Sequence, residues 1–92
     1  MEIDYIATGA NLKNRIRIAG YDIKYIKEYL NLNSVQSIYK WQRGESLPTV
    51  EHLYKLSVLL GTTIDDLIMI NVPNSGNILK RLWTYDINLR HI

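Results

Sequence analysis

The sequence contains no cysteine, which excludes a disulfide framework and any thiolate metal site. Phenylalanine is also absent, so aromatic bulk falls to seven tyrosines and two tryptophans. Their polar ends need partners, which draws several of them toward the surface. Residues 1–8 hold two acids and no apolar run, unlike a secretory leader. The longest apolar stretches fall well short of the roughly 20 residues that a bilayer-spanning helix needs. These absences lead to the expectation of a soluble, cytoplasmic protein with no membrane association. Catalytic equipment is missing as well: there is no Ser/His/Asp set, no glycine-rich phosphate loop and no thiol nucleophile. His52 and His91 have no acids beside them at ligand spacing. Asp65-Asp66 reads as a helix start, where acids offset the backbone dipole, and not as a catalytic pair. The expectation is no enzyme, no metal and no cofactor.

What is present is unevenly charged. The 92 residues, enough for one domain, carry a net charge of +2. Residues 8–44 hold Lys13, Arg15, Arg17, Lys24, Lys27, Lys40 and Arg43 against only Asp22 and Glu28. Residues 45–73 hold Lys55 against Glu45, Glu51, Asp65 and Asp66. A basic block followed by an acidic one suits a polyanionic partner on one side, although a basic block can equally be a solvated face.

Apolar spacing and capping residues predict an all-α chain. Leu12, Ile16 and Ala19 define a first helix from Thr8 or Gly9, with Thr8 as its cap and Gly20 as its stop. Asp22 caps a second helix over 23–30 with Ile23, Ile26 and Leu30 inward, and Asn31 stands where a helix stop needs glycine or asparagine. Asn33 or Ser34 caps a third helix to about Arg43, with Val35, Ile38 and Trp41 or Gln42 inward and Gly44 at its end. Thr49 caps a fourth helix with Val50, Leu53, Leu56 and Leu60 inward, ended by Gly61. Thr63 with Asp66 resembles a capping box opening a fifth helix to about Ile70. Residues 71–76 have linker composition. Tyr5-Ile6 and 68–72 are the only β-like runs, and both are too short to build a sheet. The tyrosines 21, 25, 29 and 54 are expected half-buried with their hydroxyls in water, and Trp41 in the core.

Two short helices around a tight turn, the second showing small polar and basic groups outward, form the geometry of a DNA reading head. The outward positions of the third helix are Gln36, Ser37, Tyr39 and Lys40, and no acid lies between Glu28 and Glu45. A carboxylate on such a helix would be repelled by the phosphates lining a groove. Gln can pair with adenine, Lys can reach guanine, and Ser and Tyr can serve bases or phosphates.

The run Ile38-Tyr39-Lys40-Trp41-Gln42-Arg43-Gly44-Glu45-Ser46-Leu47-Pro48 resembles the I-x-x-W-E-R-G-x-x-x-P signature of the Cro/repressor-type (Xre-like) helix-turn-helix DNA-binding family. Residues 53–67, Leu53 to Leu67 with Leu56, Leu60-Gly61 and Asp65, are similar to that family's L-x-x-L-A-x-x-L-G-V-S-x-D-x-L. The resemblance covers roughly residues 9–70. It implies a compact five-helix, repressor-like bundle over residues 8–70, followed by a linker and apolar C-terminal extension over 71–92. It also implies base reading by Gln36, Ser37, Tyr39 and Lys40, and phosphate contact by Lys24, Tyr25 and Arg43. The chain departs from the family pattern in three places: an extra residue in the turn between Asn31 and Ser37, Ile23 where a phosphate-binding Gln is usual, and Ile16 with Gln42 in place of an Arg–Glu pair. Losing both members of that pair leaves no unpaired buried charge.

In the extension, Ile78, Leu79, Leu82 and Trp83 outline a short sixth helix, and residues 85–92 are too irregular to assign; with Ile87 and Leu89, these apolar groups either dock on their own domain or pair with another copy. Two functions are therefore carried forward. One is a sequence-specific DNA-binding transcriptional regulator, a repressor acting as a homodimer on double-stranded DNA with the third helix in the major groove. The other is an antitoxin-like or phage-type protein-interaction module on the same fold, meeting a protein partner through residues 74–92, with DNA binding secondary.

Overall fold

The computed structural model describes residues 1–71; of the expected linker only Asn71 is among them, and the rest of it and the sixth helix lie outside. The described residues form five helices: α1 (Tyr5–Ala19), α2 (Ile23–Tyr29), α3 (Gln36–Gln42), α4 (Val50–Leu59) and α5 (Ile64–Leu67). Two two-residue strands, β1 (Glu2–Ile3) and β2 (Ile70–Asn71), pair antiparallel with Glu2 opposite Asn71 and Ile3 opposite Ile70. The core is Leu12 and Ile16 of α1, Ile26 and Leu30 around α2, Ile38 and Trp41 of α3, Leu53 and Leu56 of α4, and Leu67 of α5. No helix among the described residues is long and apolar enough to cross a membrane.

Helix ends follow local chemistry. Asp22, Thr49 and Thr63 accept the amides of Lys24 (3.4 Å), His52 (3.2 Å) and Asp66 (3.1 Å), each satisfying one amide of an exposed first turn. The first four helices end in left-handed residues, Gly20, Asn31, Gly44 and Gly61. After α2, the Asn31 amide donates to Glu28 and the Leu32 amide to Lys27. This is the Schellman pattern, and Leu32 supplies its usual apolar contact by packing on the core.

Four sequence expectations are corrected. α1 begins at Tyr5, because Asp4, not Thr8, caps it through the Ala7 amide at 2.9 Å. Thr8 is buried, and its hydroxyl serves Met69, accepting from the Met69 amide at 2.9 Å and donating to its carbonyl at 3.4 Å. α5 stops at Leu67, because the chain turns extended at Ile68 and enters β2; Ile70 and Asn71 of the β-like run therefore do pair, with Ile3 and Glu2. Val50 is 76% exposed, and α4 buries Leu53, Leu56 and Ser57. The hydroxyls of Tyr29 and Tyr21 do not face water: they donate to the Lys55 carbonyl at 2.8 Å and the Leu59 carbonyl at 3.5 Å, tying α2 to α4.

The tightest packing is between α1 and the end of α3. A side-chain carbon on Gly9 would stand 2.8 Å from the Gln42 carbonyl oxygen and nearer still to that of Trp41. One on Gly44 would stand 2.7 Å from the Ile6 Cα. Backbone cannot move aside as a flexible side chain can. Gly9→Ala is expected to destabilise by about 1–3 kcal/mol through overpacking, although alanine is the better helix former by about 1 kcal/mol. Urea unfolding checks this, with Ala10→Gly as a control losing about 0.5–1 kcal/mol from propensity alone.

Candidate nucleic-acid interface

α2 and α3 are joined by residues 30–35, with Asn31 at φ 58°. Ile26, Leu30 and Ile38 are almost fully buried between them and the rest of the core. Ser34 rather than a residue of the first turn caps α3, accepting the Gln36 amide at 3.3 Å; Val35, at the cap position, makes no side-chain cap bond. Ile38 and Trp41 hold the inner face of α3. Trp41 lies against His52 of α4, ring centroids 5.6 Å apart, so the indole is a packing group. The His52 Nδ1 is buried without a hydrogen-bond partner.

With one face of α3 anchored, the opposite one is open. Gln36, Tyr39, Lys40 and Arg43 are exposed, and Ser37 is half-buried on the flank. Gln36, Lys40 and Arg43 stand at i, i+4 and i+7, the spacing that lines residues along a single helical face. Four of the expected groups are thus brought together: an amide, a phenol, an ammonium and a guanidinium.

The two expected contacts on α2 are less unified. Lys24 is exposed in its first turn. Tyr25 is 48% exposed but forms the middle of a stack, 5.4 Å from the Tyr21 ring and 6.5 Å from that of Tyr29, at interplanar angles of 8° and 7° to its two neighbours. As sequence neighbours, Lys24 and Tyr25 point about 100° apart around the helix axis and do not share a face. Tyr25 belongs to the side that meets α4.

One charged residue of the site escaped the sequence reading. The Arg43 Nε donates to the Glu45 carboxylate. That hydrogen bond, with the charges of Arg43 and Lys40, holds the Glu45 carboxyl below the usual carboxylate range and pushes Arg43 upward. Helix-periodic rules look for pairs at i+3 and i+4, and this pair is i+2 across the Gly44 turn. The only sequence signal was the glycine stop that reverses the chain. On α1, Lys13 and Arg17 are exposed, while Arg15 is half-buried with its Nε donating to Asn11 at 3.3 Å.

The helix-turn-helix family profile matches residues 12–67, more than half of the chain. The chain belongs to the helix-turn-helix family. Its fold is similar to the crystal structure of a transcriptional regulator from Listeria innocua, at 23% identity and a TM-score of 0.63, over 97% of this chain and 79% of that one. At that identity the likeness is one of fold. No curated protein matches the chain.

For this helix-turn-helix chain, Asn31 sets how α3 leaves α2. Asn31→Gly is expected to fold normally, because glycine adopts the left-handed conformation freely. Asn31→Val should lose about 1–2 kcal/mol, the cost of a left-handed conformation for an ordinary side chain. Thermal unfolding of the two variants checks the contrast.

Proposed function

We propose that the protein is a sequence-specific DNA-binding transcriptional regulator, a repressor that acts in the cytoplasm as a homodimer with α3 in the major groove. The observation that carries this is the exposed line of Gln36, Lys40 and Arg43 on a helix whose opposite face is locked into the core. A groove-entering helix needs both features, an outer face of hydrogen-bonding groups and a rigid mount. On this reading Gln36, Ser37, Tyr39 and Lys40 address base edges. Lys24, Tyr25 and Arg43 address the phosphate backbone, with Tyr25 the weakest of these assignments because it is already stacked between two rings.

Dimerisation follows from reach. The seven residues of α3 span about 10 Å, which is roughly three base-pair steps. Two heads on a two-fold site gain selectivity and affinity through effective concentration. The alternative, a protein-interaction module of antitoxin or phage type, rests on the apolar residues of 74–92, which lie outside the described residues.

Binding to a duplex from the protein's own upstream region should exceed binding to random DNA at about 150 mM salt. Gln36→Ala and Lys40→Ala should each lose roughly 1–3 kcal/mol with altered base preference. Arg43→Ala should instead weaken all sequences alike and flatten the salt dependence, by less than the roughly one unit of log–log slope that an unpaired arginine would supply. If the readers and the anchor behave identically, the division of roles fails. Sizing the protein in solution should return a dimer, and repeating it without residues 74–92 tells whether the extension holds the dimer together.

A further inference from the structure

Glu45 is the only acid between Glu28 and Glu51, and it stands just past the end of α3. A helix C-terminus carries partial negative charge and disfavours a carboxylate there. The local backbone leaves Glu45 little choice of position. Gly44 turns the chain at φ 77°, and the Glu45 amide donates to the Lys40 carbonyl at 2.9 Å. Its side chain then reaches back and takes the Nε of Arg43, with Lys40 close enough for its charge to be felt. Both members of the pair are on the surface, with Arg43 54% and Glu45 51% exposed.

We propose that Glu45 is a built-in stand-in for a phosphate: it occupies Arg43 in the free protein and is displaced when a nucleic-acid backbone arrives, so that sequence-independent affinity is held down. This deepens the reading of α3 as the DNA-facing helix and rests on it. Each Lys or Arg that neutralises a phosphate releases counterions and steepens the salt dependence of binding. An arginine already paired with a carboxylate exchanges one ion pair for another. The displaced carboxylate is left beside the phosphates, where its charge opposes the complex. Arg43 therefore contributes less to indiscriminate backbone binding than its position suggests.

The test uses the full chain and the variants Glu45→Gln, Arg43→Ala and the double variant. Each is titrated with a random duplex and with a duplex from the upstream region between about 50 and 300 mM salt. Glu45→Gln is expected to bind random DNA about three- to tenfold more tightly at the low end, with a log–log salt slope steeper by up to about one. That gain should disappear when Arg43 is alanine, because the two residues act as a pair. Unchanged or weaker binding by Glu45→Gln, in a protein that otherwise binds DNA, overturns the proposal. A gain of the same size without Arg43 overturns it too, since it would then be a general charge effect. If the unaltered protein binds neither duplex, the DNA-binding reading itself fails, and this proposal with it.

Discussion

Helix α1 runs so close to the end of α3 that Gly9 and Gly44 have no room for a side chain at the contact. Glycine inside a helix is otherwise a loss of about 1 kcal/mol against alanine, so the contact must compensate for it. Backbone lying on backbone allows no rotamer to absorb an error in position. The last turn of α3 is held from above by α1, while Ile38 and Trp41 seat its inner face. The orientation of the exposed face therefore follows from a steric constraint on its far side. Everything proposed for Gln36, Lys40 and Arg43 depends on that mount.

α1 is also where the ends of the described chain meet. Thr8 exchanges hydrogen bonds with Met69, the Asp4 amide donates to the Met69 carbonyl at 2.8 Å, and Asn11 donates to the carbonyls of Asp66 and Leu67 at 2.8 and 3.1 Å. The Asn11 bonds serve carbonyls that the short α5 leaves open at its end, a need shared by every helix terminus, and the others fix Met69 in the extended segment that follows. The β1–β2 pair closes the same seam. On the other side, Tyr21 and Tyr29 donate to carbonyls of α4 and carry Tyr25 between them. α2 is thus fastened by polar tethers at both ends, with Ile26 fully buried in between.

Around α3 the electrostatics are lopsided. Gln36, Tyr39 and Lys40 are offered without an acid among them, while Arg43 is held by Glu45. The arrangement separates groups that can distinguish base edges from the one most suited to any phosphate. A surface pair of this kind contributes little to folding, which directs attention to its effect on binding.

Spacing and caps sufficed for most of the helices. The stops at Gly20, Asn31, Gly44 and Gly61 follow from backbone chemistry that needs no tertiary partner, and so do the caps at Asp22, Thr49 and Thr63. The exposed face of α3 was legible for the same reason: helical period alone puts Gln36 and Lys40 opposite Ile38. Much of what failed was long-range in origin. Thr8 looks like a cap until Met69 arrives from 61 residues away, and Ile70 looks helical until Glu2 and Ile3 offer a strand. Val50 fits the apolar period but falls outside the buried face of α4. The tyrosine hydroxyls found carbonyls of α4 where the sequence suggested water, and Glu45 found Arg43 only through the Gly44 turn. The sequence by itself determined the ends of α2, α3 and α4, most of the apolar faces, and where acids are excluded, because these depend on neighbours within about one turn. Only the tertiary structure decided which polar groups are already satisfied and how firmly α3 is mounted, because those depend on atoms brought together from distant parts of the chain.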